Sequence, residues 1–163
     1  MEYKAAILTT SDKGARGERV DLSGSELEKL LVEIGMSVDF RIIVPDEREQ
    51  ISSALIDLCD NKNVDLILTT GGTGFSPRDI TPEATHDVIH REALGIPEAM
   101  RLESLKITDR AMLSRATAGI RNKTLIINMP GSVKAVRECF EVIRSTLPHA
   151  LEILTGRGGE CGG

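Results

Sequence analysis

Aromatic side chains are nearly missing from this chain. Its 163 residues include no tryptophan, one tyrosine and three phenylalanines, so aromatics make up 2% of the sequence. We therefore expect an aliphatic core, and we do not expect the stacking platforms on which single-stranded nucleic acids bind. The net charge is −5 and no basic stripe stands out, which argues against a nucleic-acid partner.

Cysteine is scarce as well, and its three positions, Cys59, Cys139 and Cys161, form no CxxC pair. An odd number of widely spaced thiols fits a reduced compartment, so we expect a cytoplasmic protein. Cys59 and Cys139 lie in apolar helical patterns and are predicted to be core residues. His86 and His90 have no carboxylate motif beside them, so no zinc site is expected. There is no signal-peptide pattern and no apolar run long enough to span a membrane.

The length fits one domain with a real core, which we place at residues 1–155. The glycine-rich residues 156–163 are predicted to form a flexible tail. Strand and helix patterns alternate along the domain, which predicts parallel strands with right-handed crossovers. The predicted fold class is α/β, a three-layer α/β/α sandwich around a mostly parallel sheet. The predicted strands are 4–10, 38–44, 64–69 and 124–128, and the predicted helices are 23–34, one opening at 46, 82–91, 97–106, 133–143 and 148–154.

A glycine-rich loop follows the third predicted strand, with three glycines among residues 71–74. Glycine lets a backbone approach a ligand closely, and a run of such N–H groups can cradle a phosphate. The loop ends on Arg78 and Asp79, a cation beside a possible magnesium ligand. Glycines after a strand also often form only a tight turn, so the loop alone leaves both interpretations open.

Two carboxylates, Asp46 and Asp79, are the candidate metal ligands, since hard oxygen ligands suit Mg²⁺. Asp46 has an alternative role, because Asp46-x-x-Glu49 is also a helix-capping pattern. A capping role is a weaker alternative for Asp79, because we expect Thr81 to cap the following helix. Open parallel sheets bind ligands at the carboxyl ends of their strands. Those ends carry residues 10–12, 45–46, 71–79 and 128–131, so all the distinctive segments are expected at one edge.

The segment 69–85, TTGGTGFSPRDITPEAT, resembles the signature of the MogA/MoaB family of molybdopterin adenylyltransferases, which includes the G domains of gephyrin-like proteins. The resemblance covers residues 5–154, nearly the whole chain. Several separate blocks in family order are far more specific than one glycine motif. The other blocks are ILTTSD at 7–12, IVPDE at 43–47, MLSR at 112–115, GIR at 119–121 and LIINMPGS at 125–132.

This resemblance implies a MogA/MoaB-like fold and a Mg²⁺-dependent reaction in which ATP adenylylates molybdopterin and pyrophosphate leaves. It implies that Asp46 and Asp79 are the essential acidic pair and hold the metal. It also implies a homotrimer, and a possible hand-over of the product to a molybdenum insertase. The expected nucleotide- and phosphate-binding residues are Ser11, Gly71, Gly72, Thr73 and Gly74, and the expected substrate-binding residues are Ser114, Arg78, Pro130 and Gly131.

Several alternatives stay open. Ser11 could simply cap a turn, and Arg115 and Arg121 are candidate phosphate ligands that could equally be ordinary surface arginines. The chain could carry molybdopterin without adenylylating it, although the acidic pair argues against that. It could be an interaction scaffold, as the G domain is in gephyrin. It could also be a related nucleotide-cofactor pyrophosphatase, but Thr73-Gly74 and the Arg78-Asp79 pair favour the transferase.

Overall fold

The computed structural model describes residues 2–158. Within these residues, six strands and seven α-helices follow one another, with a 3-10 helix at Asp109–Leu113. The strands are β1 Lys4–Thr10, β2 Ser37–Val44, β3 Leu66–Thr70, β4 Arg91–Glu92, β5 Ala118–Arg121 and β6 Thr124–Met129. The helices are α1 Asp12–Ala15, α2 Leu22–Glu33, α3 Arg48–Asp60, α4 Thr81–Val88, α5 Gly95–Leu105, α6 Val133–Ile143 and α7 Leu147–Thr155.

The strands form one sheet in the order β2-β1-β3-β6-β5-β4. The first four of these strands are parallel, and β5 and β4 add an antiparallel edge beside β6. Asn122 takes a positive φ of 54° between β5 and β6, a conformation that asparagine tolerates better than most residues. The predicted α/β class with a mostly parallel sheet is confirmed.

Helices cover both faces of the sheet, which is why its central strands read as continuous apolar runs. The sheet separates two hydrophobic cores, one on each face, and alternate residues of β1 belong to different cores. Ala5 and Ile7 pack among the residues of α2, α5, α6 and α7, whereas Ala6 and Leu8 pack against α3 and α4. The three predicted layers are therefore present. Cys59 and Cys139 are both buried, as predicted.

Several local predictions were wrong at element ends. Thr81 does not cap α4, because it is the first helical residue, and Ile80 precedes it without a side-chain capping bond. The helix predicted to reach residue 91 stops at Val88, and the chain then forms β4. Asp46 does not cap α3, because Glu47 holds the cap position without a side-chain bond. The antiparallel strands β4 and β5 were not predicted at all.

The tail prediction falls only partly within the described residues. Gly156 ends α7 in the left-handed conformation, with φ 68°. The next residue, Arg157, pairs with Asp65 and lies over the ring of Tyr3. Residues 159–163 lie outside the described part of the chain. Among residues 2–158, no helix has the length and apolar character needed to cross a membrane.

Candidate functional site

Two adjoining pockets lie at the carboxyl edge of the sheet, and all the predicted site residues except Arg78 line one or the other. The larger, a cleft of about 670 Å³, is lined by Ser11, Asp46, Gly71, Gly72, Asp79 and Gly131 among others. The smaller, about 290 Å³, is lined by Thr73, Gly74, Ser114 and Pro130 among others. The border between them passes between Gly72 and Thr73 and again between Pro130 and Gly131. We call them the acidic cleft and the apolar pocket.

The glycine loop touches the end of β1 so closely that side chains are excluded. Gly71 and Gly72 have φ values of 96° and 67°, which favour glycine. A Cβ on Gly71 would lie 2.6 Å from the carbonyl oxygen of Thr10, and one on Gly72 would lie 2.4 Å from Thr81 Oγ1. The first two glycines are therefore required by packing, whichever ligand binds in the acidic cleft.

A buried polar network supports this loop from below. Thr10 Oγ1 and Thr81 Oγ1 are 3.0 Å apart, and Thr85 donates to the carbonyl oxygen of Thr81 at 2.8 Å. Asn128 Nδ2 then donates to Thr69 Oγ1 and Thr85 Oγ1 at 3.1 and 3.0 Å. Sequence reasoning missed this network. The available signal was an asparagine and several threonines at the ends of strands that are otherwise apolar.

The acidic pair faces the same cleft, and each carboxylate is oriented by one backbone amide. Asp46 Oδ2 accepts from the N–H of Asp12, and Asp79 Oδ2 accepts from the N–H of Ser76, both at 3.0 Å. Neither Oδ1 atom accepts a hydrogen bond from residues 2–158. Burial raises the pKa of Asp46, the charges of Asp12 and Asp79 raise it further, and the Asp12 amide partly offsets the shift.

This donor set fits a magnesium ion. Mg²⁺ is usually held by one or two carboxylates and completes its shell with phosphate oxygens and water. Asp46 and Asp79 each offer an unused oxygen to the same cleft, where a cation could contact both carboxylates. Residues 2–158 contain no group of three or more histidine, cysteine or acidic residues suited to a metal, so a dedicated protein cage is absent there.

Arg78 lies outside both pockets. Its guanidinium donates to both carboxylate oxygens of Asp12, at 3.0 and 2.9 Å, and to Glu47 at 2.9 Å. These bonds lower the pKa of Asp12. The cation predicted at the end of the loop is thus held by acidic partners through Nε and Nη2. Its Nη1 donates to no acceptor among residues 2–158, so contact with substrate, as predicted, does not require the loss of these bonds.

Two other predicted polar residues are used locally. Ser11 Oγ accepts from the N–H of Gly14 at 2.9 Å and caps α1, so the turn-cap alternative is confirmed. This does not remove its backbone from the cleft. Arg121 lies at the opposite edge of the sheet, where it pairs with both oxygens of Asp60 and donates to the carbonyl of Val88. A phosphate role for Arg121 in this cleft is therefore wrong.

Ser114 follows the 3-10 helix and lies on the wall of the apolar pocket. Its hydroxyl is weakly engaged, accepting from the N–H of Ala116 at 3.3 Å. Met100 and Leu113 supply much of the surrounding apolar surface, and Cys139 adds a buried thiol whose pKa is raised by burial. A small apolar chamber with a few polar groups on its wall is typical of sites for flat organic ligands.

An open parallel sheet with a glycine loop and acidic residues at its carboxyl edge defines an α/β ligand-binding protein. Within that class, the chain belongs to the family described as "Probable molybdopterin binding domain", whose model matches residues 6–149. The molybdopterin adenylyltransferase of Helicobacter pylori is 45% identical over 152 residues, covering 92% of this chain and 86% of that protein.

Two further comparisons agree with this placement. The crystal structure of the molybdopterin biosynthesis enzyme MoaB from Thermus thermophilus has a TM-score of 0.90 and 46% identity, covering 95% of this chain and 98% of that one. Gephyrin of Dictyostelium discoideum is 43% identical over 96% of this chain, which corresponds to only 23% of gephyrin. The predicted MogA/MoaB-like fold is confirmed.

Proposed function

We propose that this protein is a molybdopterin adenylyltransferase of molybdenum cofactor biosynthesis, which transfers AMP from ATP to molybdopterin. The observation that carries the proposal is the shared border of the acidic cleft and the apolar pocket. A triphosphate in the cleft and a pterin in the pocket would meet where Gly72 adjoins Thr73 and Pro130 adjoins Gly131. The names of the similar proteins support the same activity.

The reaction joins an oxygen of the molybdopterin phosphate to the α-phosphorus of ATP. The bond from that phosphorus to the oxygen shared with the β-phosphate breaks, and pyrophosphate leaves with the electron pair. Such a transfer needs in-line alignment and charge neutralisation more than covalent help. Asp46 and Asp79 would hold Mg²⁺, which supplies neutralising charge to the triphosphate and the leaving group.

The chain's own residues would align the two substrates. The backbone amides of residues 72–74 would contact phosphate oxygens, and that of Gly71, which donates to the carbonyl oxygen of Met129 at 3.4 Å, would join them only by giving up that long bond. The weakly bonded hydroxyl of Ser114 would orient the pterin in the apolar pocket. Arg78 would contact phosphate through Nη1 while Nε and Nη2 keep their bonds to Asp12 and Glu47. Because Arg78 lines neither pocket, we place it beside the site rather than at the reacting atoms.

The cellular setting belongs to the same proposal. Buried, unpaired Cys59 and Cys139 support a reducing cytoplasmic location. A homotrimer, and delivery of the product to a molybdenum insertase, are proposed from the resemblance. The unused carboxylate oxygens of Asp46 and Asp79 in one cleft support an active enzyme over a simple carrier, because such a pair can hold a metal ion beside a triphosphate.

A direct assay tests this function. Purified protein is incubated with molybdopterin, ATP and MgCl₂, and the products are analysed by mass spectrometry. We expect adenylylated molybdopterin and an equal amount of pyrophosphate, with neither formed when EDTA is added. Binding of molybdopterin without product would indicate a carrier. Hydrolysis of ATP or of a dinucleotide without transfer would indicate a pyrophosphatase. Either result would overturn the proposal.

A further inference from the structure

Arg115 connects the two halves of the site. It directly follows Ser114, on the side of the apolar pocket, and its backbone N–H donates to the carbonyl oxygen of Thr73 at 2.8 Å. Its side chain then turns away from both pockets and runs beneath the glycine loop. The side chain is 36% exposed, so much of it is enclosed by the loop it supports.

Each of the three guanidinium nitrogens of Arg115 is engaged. Nε donates to the carbonyl oxygen of Gly74 at 2.8 Å, and Nη2 donates to that of Asp79 at 2.7 Å. Nη1 donates to both carboxylate oxygens of Glu83, at 2.6 and 2.8 Å. Glu83 lies on α4, so the Arg115 side chain links Gly74 and Asp79 in the loop to the helix that follows the loop.

We propose that Arg115 is a positioning residue that fixes the distance and orientation between Ser114 and the Asp79 carboxylate. The inference rests on the proposed function, since those two groups are assigned to opposite substrates. Arg115 does not hold a substrate phosphate, because its donors already point at the loop and at Glu83. Its charge is neutralised by Glu83, so it acts on the site through geometry.

Only arginine can make this set of contacts. The guanidinium is a rigid planar fork that serves several acceptors at once, whereas lysine carries one ammonium on a flexible stem. In Arg115→Lys the backbone bond to Thr73 would remain, but the two loop carbonyls and Glu83 would compete for one group. The loop would then lose its fixed spacing from Ser114 while the charge of the region stayed the same.

Arg121→Lys is the matched control. Arg121 is also half-buried, pairs with both oxygens of Asp60 and donates to a backbone carbonyl, but it lies at the opposite edge of the sheet. The two variants therefore lose similar bonds in different places. The readouts are kcat, KM for ATP, the midpoint of thermal unfolding, and amide hydrogen exchange of residues 71–79 measured by mass spectrometry.

We expect Arg115→Lys to lower kcat by about 10- to 100-fold, because small misplacements of reacting groups cost that much, with a smaller change in KM for ATP. Exchange of residues 71–79 should accelerate in Arg115→Lys and stay unchanged in Arg121→Lys. Glu83→Gln, which keeps an acceptor but loses the anchoring charge, should give a smaller effect of the same kind and serves if Arg115→Lys folds poorly.

Two results would overturn the inference: unchanged loop exchange in Arg115→Lys, or equal losses of kcat in the Arg115 and Arg121 variants. The second would mean that Arg115 only stabilises the fold. Failure of the proposed function is seen separately, as absence of adenylylated product with the unmodified protein. The exchange measurement needs no activity, so it tests the loop contacts in that case as well.

Discussion

Asp12 and Asp46 each accept a hydrogen bond from the other's backbone amide. The N–H of Asp12 donates to Asp46 Oδ2 and the N–H of Asp46 donates to Asp12 Oδ1, both at 3.0 Å. This reciprocal pair joins the loop after β1 to the loop after β2. It brings two negative charges together at the cleft, where Arg78 partners Asp12 far more closely than Asp46. The carboxylate of Asp46 is therefore oriented but incompletely compensated.

We predict that Asp46→Asn makes the fold more stable and the enzyme inactive. The amide oxygen of asparagine can still accept from the Asp12 N–H, while the half-buried charge and its repulsion by Asp12 and Asp79 disappear. Thermal unfolding without added metal should therefore show a higher midpoint. A gain of 1 kcal/mol would raise it by about 2–4 °C in a domain of this size.

The pH dependence of this gain has a definite sign. Because the pKa of Asp46 is raised on folding, the folded state holds more protons than the unfolded state between the unfolded value, about 3.9, and the raised value. Stability of the unmodified protein falls as pH rises through that window. The advantage of Asp46→Asn should be full at pH 7 and vanish below the window. A variant less stable than the unmodified protein at pH 7 would contradict this account.

Asp79→Asn should leave the fold intact and lower adenylyl transfer by about 100-fold or more, the scale for losing one electrostatic stabiliser. Asparagine keeps an acceptor for the Ser76 N–H, so the turn survives, but it offers a poor ligand to a metal. Asp39→Asn is the control, since Asp39 is exposed on β2. Near-normal turnover of the folded variant in steady-state kinetics would show that Asp79 is not part of the mechanism.

Gly72→Ala should destabilise the protein as well as weaken nucleotide binding. The loss of stability is expected because a Cβ at Gly72 would collide with Thr81 Oγ1. Gly17→Ala separates the two causes, because Gly17 has a similar φ of 73° with open space around it. We expect roughly 1 kcal/mol of backbone strain at Gly17 and clearly more at Gly72, by chemical denaturation. Equal losses would show that the loop can move away from Thr81.

Removal of residues 156–163 should cost stability but spare activity. We propose that residues 1–155 act as one domain, yet the described part of the tail includes Arg157, which pairs with Asp65 and lies 5.0 Å from the Tyr3 ring centroid. Asp65 is only 7% exposed, so losing its partner should cost about 1 kcal/mol or more. Arg157→Ala should reproduce most of the loss.

Arg16→Ala is the control for that experiment. Its pair with Glu18 is exposed on both sides, so solvent screens the attraction and its loss should leave the unfolding midpoint nearly unchanged. If the truncated protein unfolded at the same midpoint as the full chain, the contact of Arg157 with Asp65 would contribute nothing to stability. If activity were lost on truncation, the tail would have a function beyond holding the end of the domain.

Most of the fold could be predicted from the periodicity of apolar residues, and the wrong predictions have local causes. Helix α6 was predicted at both ends, because its apolar spacing is regular and Ser132 caps it. Strands β4 and β5 have two and four residues, which is too short for an alternation of apolar and polar residues to be recognised. Thr81 was mistaken for a cap because threonine favours that position, whereas tertiary contact with Thr10 determined its place.

The location of the site was also predictable, because the carboxyl ends of parallel strands meet at one edge of the sheet. The sequence could not show which of those residues face each other. The division between the acidic cleft and the apolar pocket, the pairing of Arg78 with Asp12 and the role of Asn128 all depend on contacts between distant segments. Arg115 was a candidate phosphate ligand by residue type, and only its bonds to Gly74 and Asp79 indicate a different role.

The central claim is that the acidic cleft holds ATP and the adjoining apolar pocket holds molybdopterin, and Ser114→Ala tests it most directly. Calorimetric titration would give its affinities for molybdopterin and for ATP with Mg²⁺, beside Ser53→Ala as an exposed-serine control on α3. Loss of one neutral hydrogen bond should weaken molybdopterin binding by about 2- to 12-fold and leave ATP affinity within about twofold. Asp79→Asn should show the reverse pattern. If Ser114→Ala instead weakened ATP and spared molybdopterin, the assignment of the two pockets would be backwards.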